Sequence, residues 1–329
     1  MRNTRSHNIE WLINEFIDRY FAMKKHSPRN KAEYDRALRK YCIPAWGNRP
    51  YGDITTDDII ALTHAVAENT PVMGNRLHAY LSKMFRWARS TPMRDGKGRY
   101  LQRSPVSDAI RPADEISRDR VLSDGEIRDI WFACDRLDNA YGPMVQMAIL
   151  TGQRRNELAG MVPAELDIKK IVWSIPPERN KAKRTHNIPL SRMALRSLEP
   201  RMASGTKFIF ENETGKMMSG WNRMKRRLDK ACGAKNADGD LLWSEGWTLH
   251  DTRRTIATKM RELGVDSEVV EALLNHKSNT ATGDVQRIYD RYENFDEKRE
   301  ALELWAGKLT SILGLEPAEN VVPLPTRAG

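Results

Sequence analysis

The stretch TPMRDGKGRYLQRSPVSDAIRP, residues 91–112, carries three prolines and two glycines among many charges and sustains no apolar period. Such a segment continues neither a helix nor a strand, because proline removes a backbone donor and glycine adds freedom that packing must offset. It divides the 329 residues into two parts, each of which must bury its own core. The expected organisation is 1–112, 113–314 and a flexible, Pro-containing tail over 315–329.

Before the break the apolar residues keep helical spacing. Ile9, Leu12, Ile13, Phe16, Ile17 and Tyr20 recur at three- and four-residue steps, the pattern of one buried helix face. A second, basic helix is expected over Ala32 to Tyr41, and Thr55 with Asp58 forms a capping box ahead of Ile59 and Ile60. In GNRLHAYLSKMFRWARS an apolar stripe through Leu77, Leu81, Met84, Phe85 and Ala88 leaves Arg76, Lys83, Arg86 and Arg89 off it. The amino-terminal part thus reads as an all-helical unit with basic outer faces.

After the break Ser123 and Glu126 make another capping box, and Met144 to Leu150 reads as a buried helix. The runs 171–175 and 186–190 flank ERNKAKRT and suggest a hairpin with a basic tip, and 208–210 is a third strand candidate. The fold class is mainly α with a small β-sheet: an all-helical unit followed by a mixed α+β unit.

Charge narrows the partners. Residues 1–110 hold 19 Lys+Arg against 11 Asp+Glu, and residues 150–230 hold 18 against 8, within a chain whose net charge is +10. Two separate basic blocks suit two surfaces gripping a polyanion, since neutralising phosphates releases condensed counterions; ordinary solvated helix faces would give the same pattern. Cys42, Cys134 and Cys232 are scattered and odd in number, which argues against a disulfide framework or a cysteine-built metal site and suits a reducing cytoplasm. No stretch approaches the roughly 20 apolar residues of a membrane span, and the amino terminus lacks the apolar region of a signal peptide.

Four segments concentrate residues suited to phosphoryl chemistry. TGQRRNEL at 151–158 places Arg154 after a glycine break and before Glu157. The hairpin tip carries Lys181, Lys183 and Arg184. In TLHDTRRT at 248–255, Thr248 and Asp251 form a capping box, and His250 and Arg253 share a face of the first helical turn. Finally LLNHKS contains His276, and RIYDRY contains Tyr289 and Tyr292. Planar, permanently charged guanidinium groups suit the nonbridging oxygens of a phosphodiester under attack. No GxxxxGK[ST] loop and no acidic two-metal cluster is visible.

This set of segments resembles the tyrosine recombinase family, the phage integrases and Xer-like recombinases. TGxRxxE is matched at Thr151, Gly152, Arg154 and Glu157, and HxLRRT is matched except that Thr252 stands where an apolar residue is usual. LxH is matched at Leu274 and His276, and IYDRYENFDEKREAL is similar to the nucleophile segment of prophage-type integrases. The resemblance implies a core-binding domain before the break, a catalytic domain after it, and a DNA recombinase that uses no cofactor. In that reading Arg154, Arg253 and His276 hold the phosphate, Tyr289 attacks to give a 3′-phosphotyrosine, His250 assists proton transfer and Lys181 protonates the leaving oxygen. Lys183 competes with Lys181 because hairpin length varies, and Tyr292 competes with Tyr289 because residues three apart share a helix face.

The implied partners are duplex attachment sites, a homotetramer on DNA and accessory bending or directionality factors. The first helix begins close to Met1, so the layout is expected to be two-domain and Xer-like, without a separate arm-binding domain. The last apolar pattern, Ala301 to Leu313, would pack on its own domain or on a neighbouring protomer. Three other readings stay open: a type IB topoisomerase relaxing DNA, a relic that binds without cutting, and a generic RNA-binding protein, for which no RRM or KH signature is present.

Overall fold

The structure is a computed structural model that describes residues 7–23, 26–92, 100–115, 118–180, 182–202, 205–234, 243, 245–275 and 295–316. It separates into two compact units, Met1–Ser117 and Arg118–Gly329.

The first unit consists of helices α1 (Ile9–Met23), α2 (Pro28–Trp46), α3 (Thr56–Asn69) and α4 (Pro71–Ser90). The Thr55–Asp58 capping box forms at the start of α3, satisfying backbone donors that the first turn leaves orphaned. Ile9, Leu12, Phe16, Leu38, Ile59, Leu77, Leu81 and Phe85 are fully buried in one core. Close packing also fixes Gly74 on α4, where a Cβ would lie 2.6 Å from the Ala67 methyl of α3.

The described part of the Pro/Gly-rich break is folded onto α4. The Leu101 amide donates to Ala88 O, and His78 Nε2 meets Ala109 O at 2.9 Å. The buried Asn75 donates to Ala113 O at 2.8 Å and accepts from Ala113 N at 3.2 Å. Absence of periodicity therefore reflects side-chain anchoring in place of a regular backbone ladder.

The second unit is built on α5 (Asp124–Asp135), α6 (Tyr141–Thr151), α7 (Arg155–Ala159), a sheet of β1 (Leu166–Asp167), β2 (Val172–Ile175) and β3 (His186–Pro189), and then α8 (Arg192–Met202), α9 (Trp221–Ala231), α10 (Leu249–Glu262), α11 (Ser267–Leu273) and α12 (Phe295–Leu313). The strands run antiparallel in the order β1-β2-β3, with Trp173 opposite Ile188. The fold is mainly α with a small β-sheet.

Two features differ from the sequence expectation. The two-residue β1 adds an edge strand that is too short to show an alternation. Residues 208–210 form a turn and not a strand: Ile209 and Phe210 are apolar because they plug the core, and the Ile209 amide donates to Met161 O. Helix α12 folds back onto its own unit, burying Ala301, Leu302, Trp305, Leu309 and Leu313, and Trp305 Nε1 donates to Ile149 O at 2.8 Å.

Candidate functional site

Helix α6 ends at Gly152, whose φ of 66° terminates the helix in the left-handed region. The chain then turns into Arg154, which caps α7 in extended conformation. Glu157, buried on the first turn of α7, accepts from the Arg154 amide at Oε2 and from Arg154 Nη1 at Oε1, both at 3.1 Å. Arg154 Nη2 donates to Asn275 O at 3.1 Å.

Helix α10 brings the second arginine. Thr248 donates from its amide and its hydroxyl to Asp251 Oδ2 at 2.8 and 3.0 Å. Asp251 is fully buried and also pairs with Arg118 and Arg254, so a negative charge sits against the positive end of the helix. This start leaves His250 on the cleft wall, partly open to solvent, and turns Arg253 inward. Arg253 Nη1 donates to Gly152 O at 2.8 Å, and Nη2 donates to Leu274 O. Burial, then the nearby Arg154, disfavours the charged form of Arg253, while Glu157 favours it. The His250 imidazole is held below its ordinary range, first by partial burial and then by Arg254 and Arg253, so it is neutral near pH 7 and able to accept a proton.

The end of α11 is the common anchor. Gln153 Nε2 and His186 Nε2 both meet Leu273 O at 3.0 Å, Arg253 bonds Leu274 O and Arg154 bonds Asn275 O. These groups satisfy carbonyls that a helix C-terminus leaves without partners. Asn275 adopts a φ of 49°, and its Oδ1 accepts from Arg184 Nη2 at 3.4 Å.

Arg154, Arg155, Arg179, Thr248, His250 and Arg253 line a cleft of about 450 Å³. Among the described residues Glu157 is the only carboxylate on its wall, and the cleft suits an anion of phosphate type. Three expected residues, Arg154, His250 and Arg253, meet there, and Arg184 approaches through Asn275. Lys183 is exposed at the hairpin tip with a φ of 60°. Lys181, His276, Tyr289 and the alternative Tyr292 lie outside the described residues. Arg76, Lys83, Arg86 and Arg89 belong to the first unit, where all but the half-buried Lys83 are exposed on α4.

Sequence reasoning missed Gln153, Arg179 and Glu165, whose roles depend on contacts across the fold. It also missed the basic face of α9, where Arg223, Arg226, Arg227 and Lys230 are exposed. The helix itself reaches the cleft walls through its first two turns: the Arg155 guanidinium lies 4.8 Å from the Trp221 ring centroid, and Lys225 Nζ lies 4.0 Å from that of Trp247, beside Thr248.

Fold and cleft together define a basic helical unit followed by an α+β unit with an arginine-rich cleft. The chain belongs to the phage integrase family: the family model matches residues 120–290, and the model of the phage integrase central domain matches residues 12–99. It is similar to prophage integrase IntZ of Escherichia coli (strain K12), with 25% identity over 286 residues, 84% of this chain and 65% of the relative. Prophage integrase IntA of the same strain is 29% identical over 160 residues, 48% of this chain and 36% of the relative. The chain thus spans less than two thirds of the length of these curated relatives. Among solved structures, a lambda integrase tetramer bound to a Holliday junction shares the fold with a TM-score of 0.67 and 20% identity, over 84% of this chain and 77% of that one. Among the described residues no helix is long and apolar enough to cross a membrane.

Proposed function

We propose that the chain is a site-specific DNA recombinase that cuts and rejoins duplex attachment sites through a 3′-phosphotyrosine intermediate, integrating or excising a mobile element. The observation that carries this reading is the convergence of Arg154, Arg253 and His250 in one cleft, with both arginines anchored on the residues immediately before His276.

In this reading Arg154 and Arg253 take the nonbridging oxygens of the scissile phosphate with the N–H groups not engaged by Glu157 and the main-chain carbonyls, and His276 adds a further bond. The Tyr289 oxygen attacks phosphorus as the bond to the 5′ oxygen breaks. His250, neutral near pH 7, receives the phenol proton, and Lys181 gives one to the leaving oxygen. The phosphotyrosine retains the phosphodiester bond energy, so attack by a 5′-hydroxyl reverses the step and rejoins a strand without a nucleotide or metal.

The basic face of α4, with Arg76, Lys83, Arg86 and Arg89, and the hairpin residues Lys183 and Arg184 supply phosphate contacts that position the duplex. The proposed assembly is a homotetramer on DNA, served by accessory bending or directionality factors. Three buried, unpaired cysteines support a cytoplasmic setting.

The test is a nicked suicide duplex carrying candidate attachment sites. The wild-type chain is expected to accumulate a covalent adduct, and Tyr289→Phe to bind the duplex without forming one. Adducts that persist in Tyr289→Phe assign the nucleophile to Tyr292. Relaxation of plasmids without paired sites, with no strand exchange between paired ones, would replace recombination by topoisomerase activity.

A further inference from the structure

Arg179 lines the cleft, yet its charge is already committed. It closes a short 3-10 turn, Pro177–Arg179, on the way from β2 into the hairpin. Its Nη1 bridges both carboxylate oxygens of Glu165, and its Nη2 donates to Glu157 O at 2.6 Å. Glu165 is buried, and its Oε2 also accepts from Trp173 Nε1 at 3.0 Å. One side chain therefore joins three elements: the turn leading into β1, the middle strand through Trp173, and the helix whose first turn holds Arg154.

Gly160, just after α7, makes this possible. A Cβ there would lie 2.7 Å from Arg179 Nη2 and 3.2 Å from its Cζ, although the φ of −95° is open to any residue. The missing side chain, and not backbone freedom, is what the position requires.

Beyond that anchor a single side chain bridges the loop. Asn180 is buried, and its Nδ2 donates to Pro176 O at 3.1 Å and to Arg184 O at 2.5 Å, while its Oδ1 accepts from the Ala182 amide at 3.0 Å. The side chain thus spans the loop between its two arms. On the far arm Arg184 reaches Asn275 Oδ1.

We infer that Arg179 is a positioning residue that docks the β2–β3 hairpin on the Arg154 helix, fixing where the hairpin tip meets the leaving oxygen of the scissile phosphate. Because Glu165 neutralises it, Arg179 serves as a strut and not as a third phosphate clamp. The inference rests on the recombinase reading, in which the tip carries the proton donor, Lys181 or Lys183. A strut that holds a proton donor has a distinctive signature. Losing it slows only a step that needs the proton, whereas losing a phosphate clamp slows cleavage whatever the leaving group.

The experiment compares single-turnover cleavage of two suicide duplexes, one ordinary and one whose bridging 5′ oxygen is sulfur. A thiol has a pKa of about 8.5 and departs as thiolate without a proton, unlike an alcohol. Arg179→Lys keeps the charge opposite Glu165 but loses the fork, and Gly160→Ala displaces the guanidinium from the other side, so a folding defect in one variant leaves the other informative. Both variants are expected to slow oxygen cleavage by about 10²-fold, the scale of a misplacement near 1 Å, at a temperature where each is fully folded and with duplex affinity close to wild type. Both are expected to recover near wild-type rates on the sulfur duplex. Equal slowing on both duplexes, or no slowing on either, overturns the inference and leaves the recombinase reading standing. A wild-type chain that forms no adduct on any attachment duplex overturns that reading and this inference with it.

Discussion

Arg154 and Arg253 enter the cleft from different helices and end on adjacent main-chain carbonyls, Arg154 on Asn275 O and Arg253 on Leu274 O. The last turn of α11 is therefore a shared template for both guanidinium groups. Residue 276 follows directly, so the element that orients the arginines also sets where the next segment begins.

The template demands the arginine fork. Arg253→Lys retains a cation but cannot bond Gly152 O and Leu274 O from two separate nitrogens while facing the cleft. The expected loss in single-turnover cleavage is about 10²- to 10³-fold, the scale of removing one preorganised donor from a developing oxyanion, with duplex affinity nearly kept. A lysine variant cleaving as fast as wild type would remove Arg253 from the phosphate site.

His186 makes stability depend on pH. It is buried on β3 against Leu273 O, and its pKa falls to about 3, first through burial and then through Lys298, with Arg184 and Arg253 adding to the effect. An unfolded histidine binds a proton below about pH 6.5, whereas the folded one stays neutral well below that. Its contribution is thus fully present above pH 6.5 and lost as pH falls toward 3. Carboxylates are still ionised between pH 6.5 and 5 and the other histidines are common to both proteins, so the difference from His186→Gln in that window isolates this group. There wild type is expected to lose stability faster than His186→Gln, by a slope approaching about 1.4 kcal/mol per pH unit. Urea melts at a series of pH values measure it, and parallel curves would refute it.

Much of the site was legible because it is built locally. The capping boxes at Thr55, Ser123 and Thr248 form as spaced, since each is a contact between residues three apart. The same locality places His250 and Arg253 on one helical turn. What escaped the sequence is non-local. Arg179 finds Glu165 fourteen residues away, and Gln153 finds Leu273 O across 120, and no periodicity encodes such pairs. Residues 208–210 misled for the converse reason: an apolar run marks burial, and here the core is plugged by a turn.

The basic face of α4 should act additively through phosphates. None of Arg76, Lys83, Arg86 and Arg89 is ion-paired with a carboxylate among the described residues, so each charge is available to a duplex. Single alanine substitutions at Arg76, Arg86 and Arg89 should weaken binding to cognate and random duplexes alike. Each lost phosphate contact should lower the slope of log affinity against log salt by about 1. An unchanged slope in the triple variant would place the duplex on another face.

Gly152 is where backbone conformation and close packing meet. Its φ of 66° strains a residue bearing a Cβ, and such a Cβ would lie 2.7 Å from Leu274 Cδ2. Leu274 is buried and holds Arg253 through its carbonyl, so a methyl at 152 presses on the residue that anchors the guanidinium. The left-handed conformation alone costs a side-chain-bearing residue about 1–2 kcal/mol, and the clash adds to it. Gly152→Ala should therefore lower thermal stability and, separately, slow cleavage at temperatures where the variant is fully folded, because the displaced Leu274 carries Arg253 with it. Gly264 serves as the control: its φ is also positive, at 84°, but a methyl added there would meet nothing within 4 Å among the described residues. Gly264→Ala should show the conformational cost without the loss of cleavage. Equal cleavage by the two folded variants would show that the α11 turn does not set the position of Arg253.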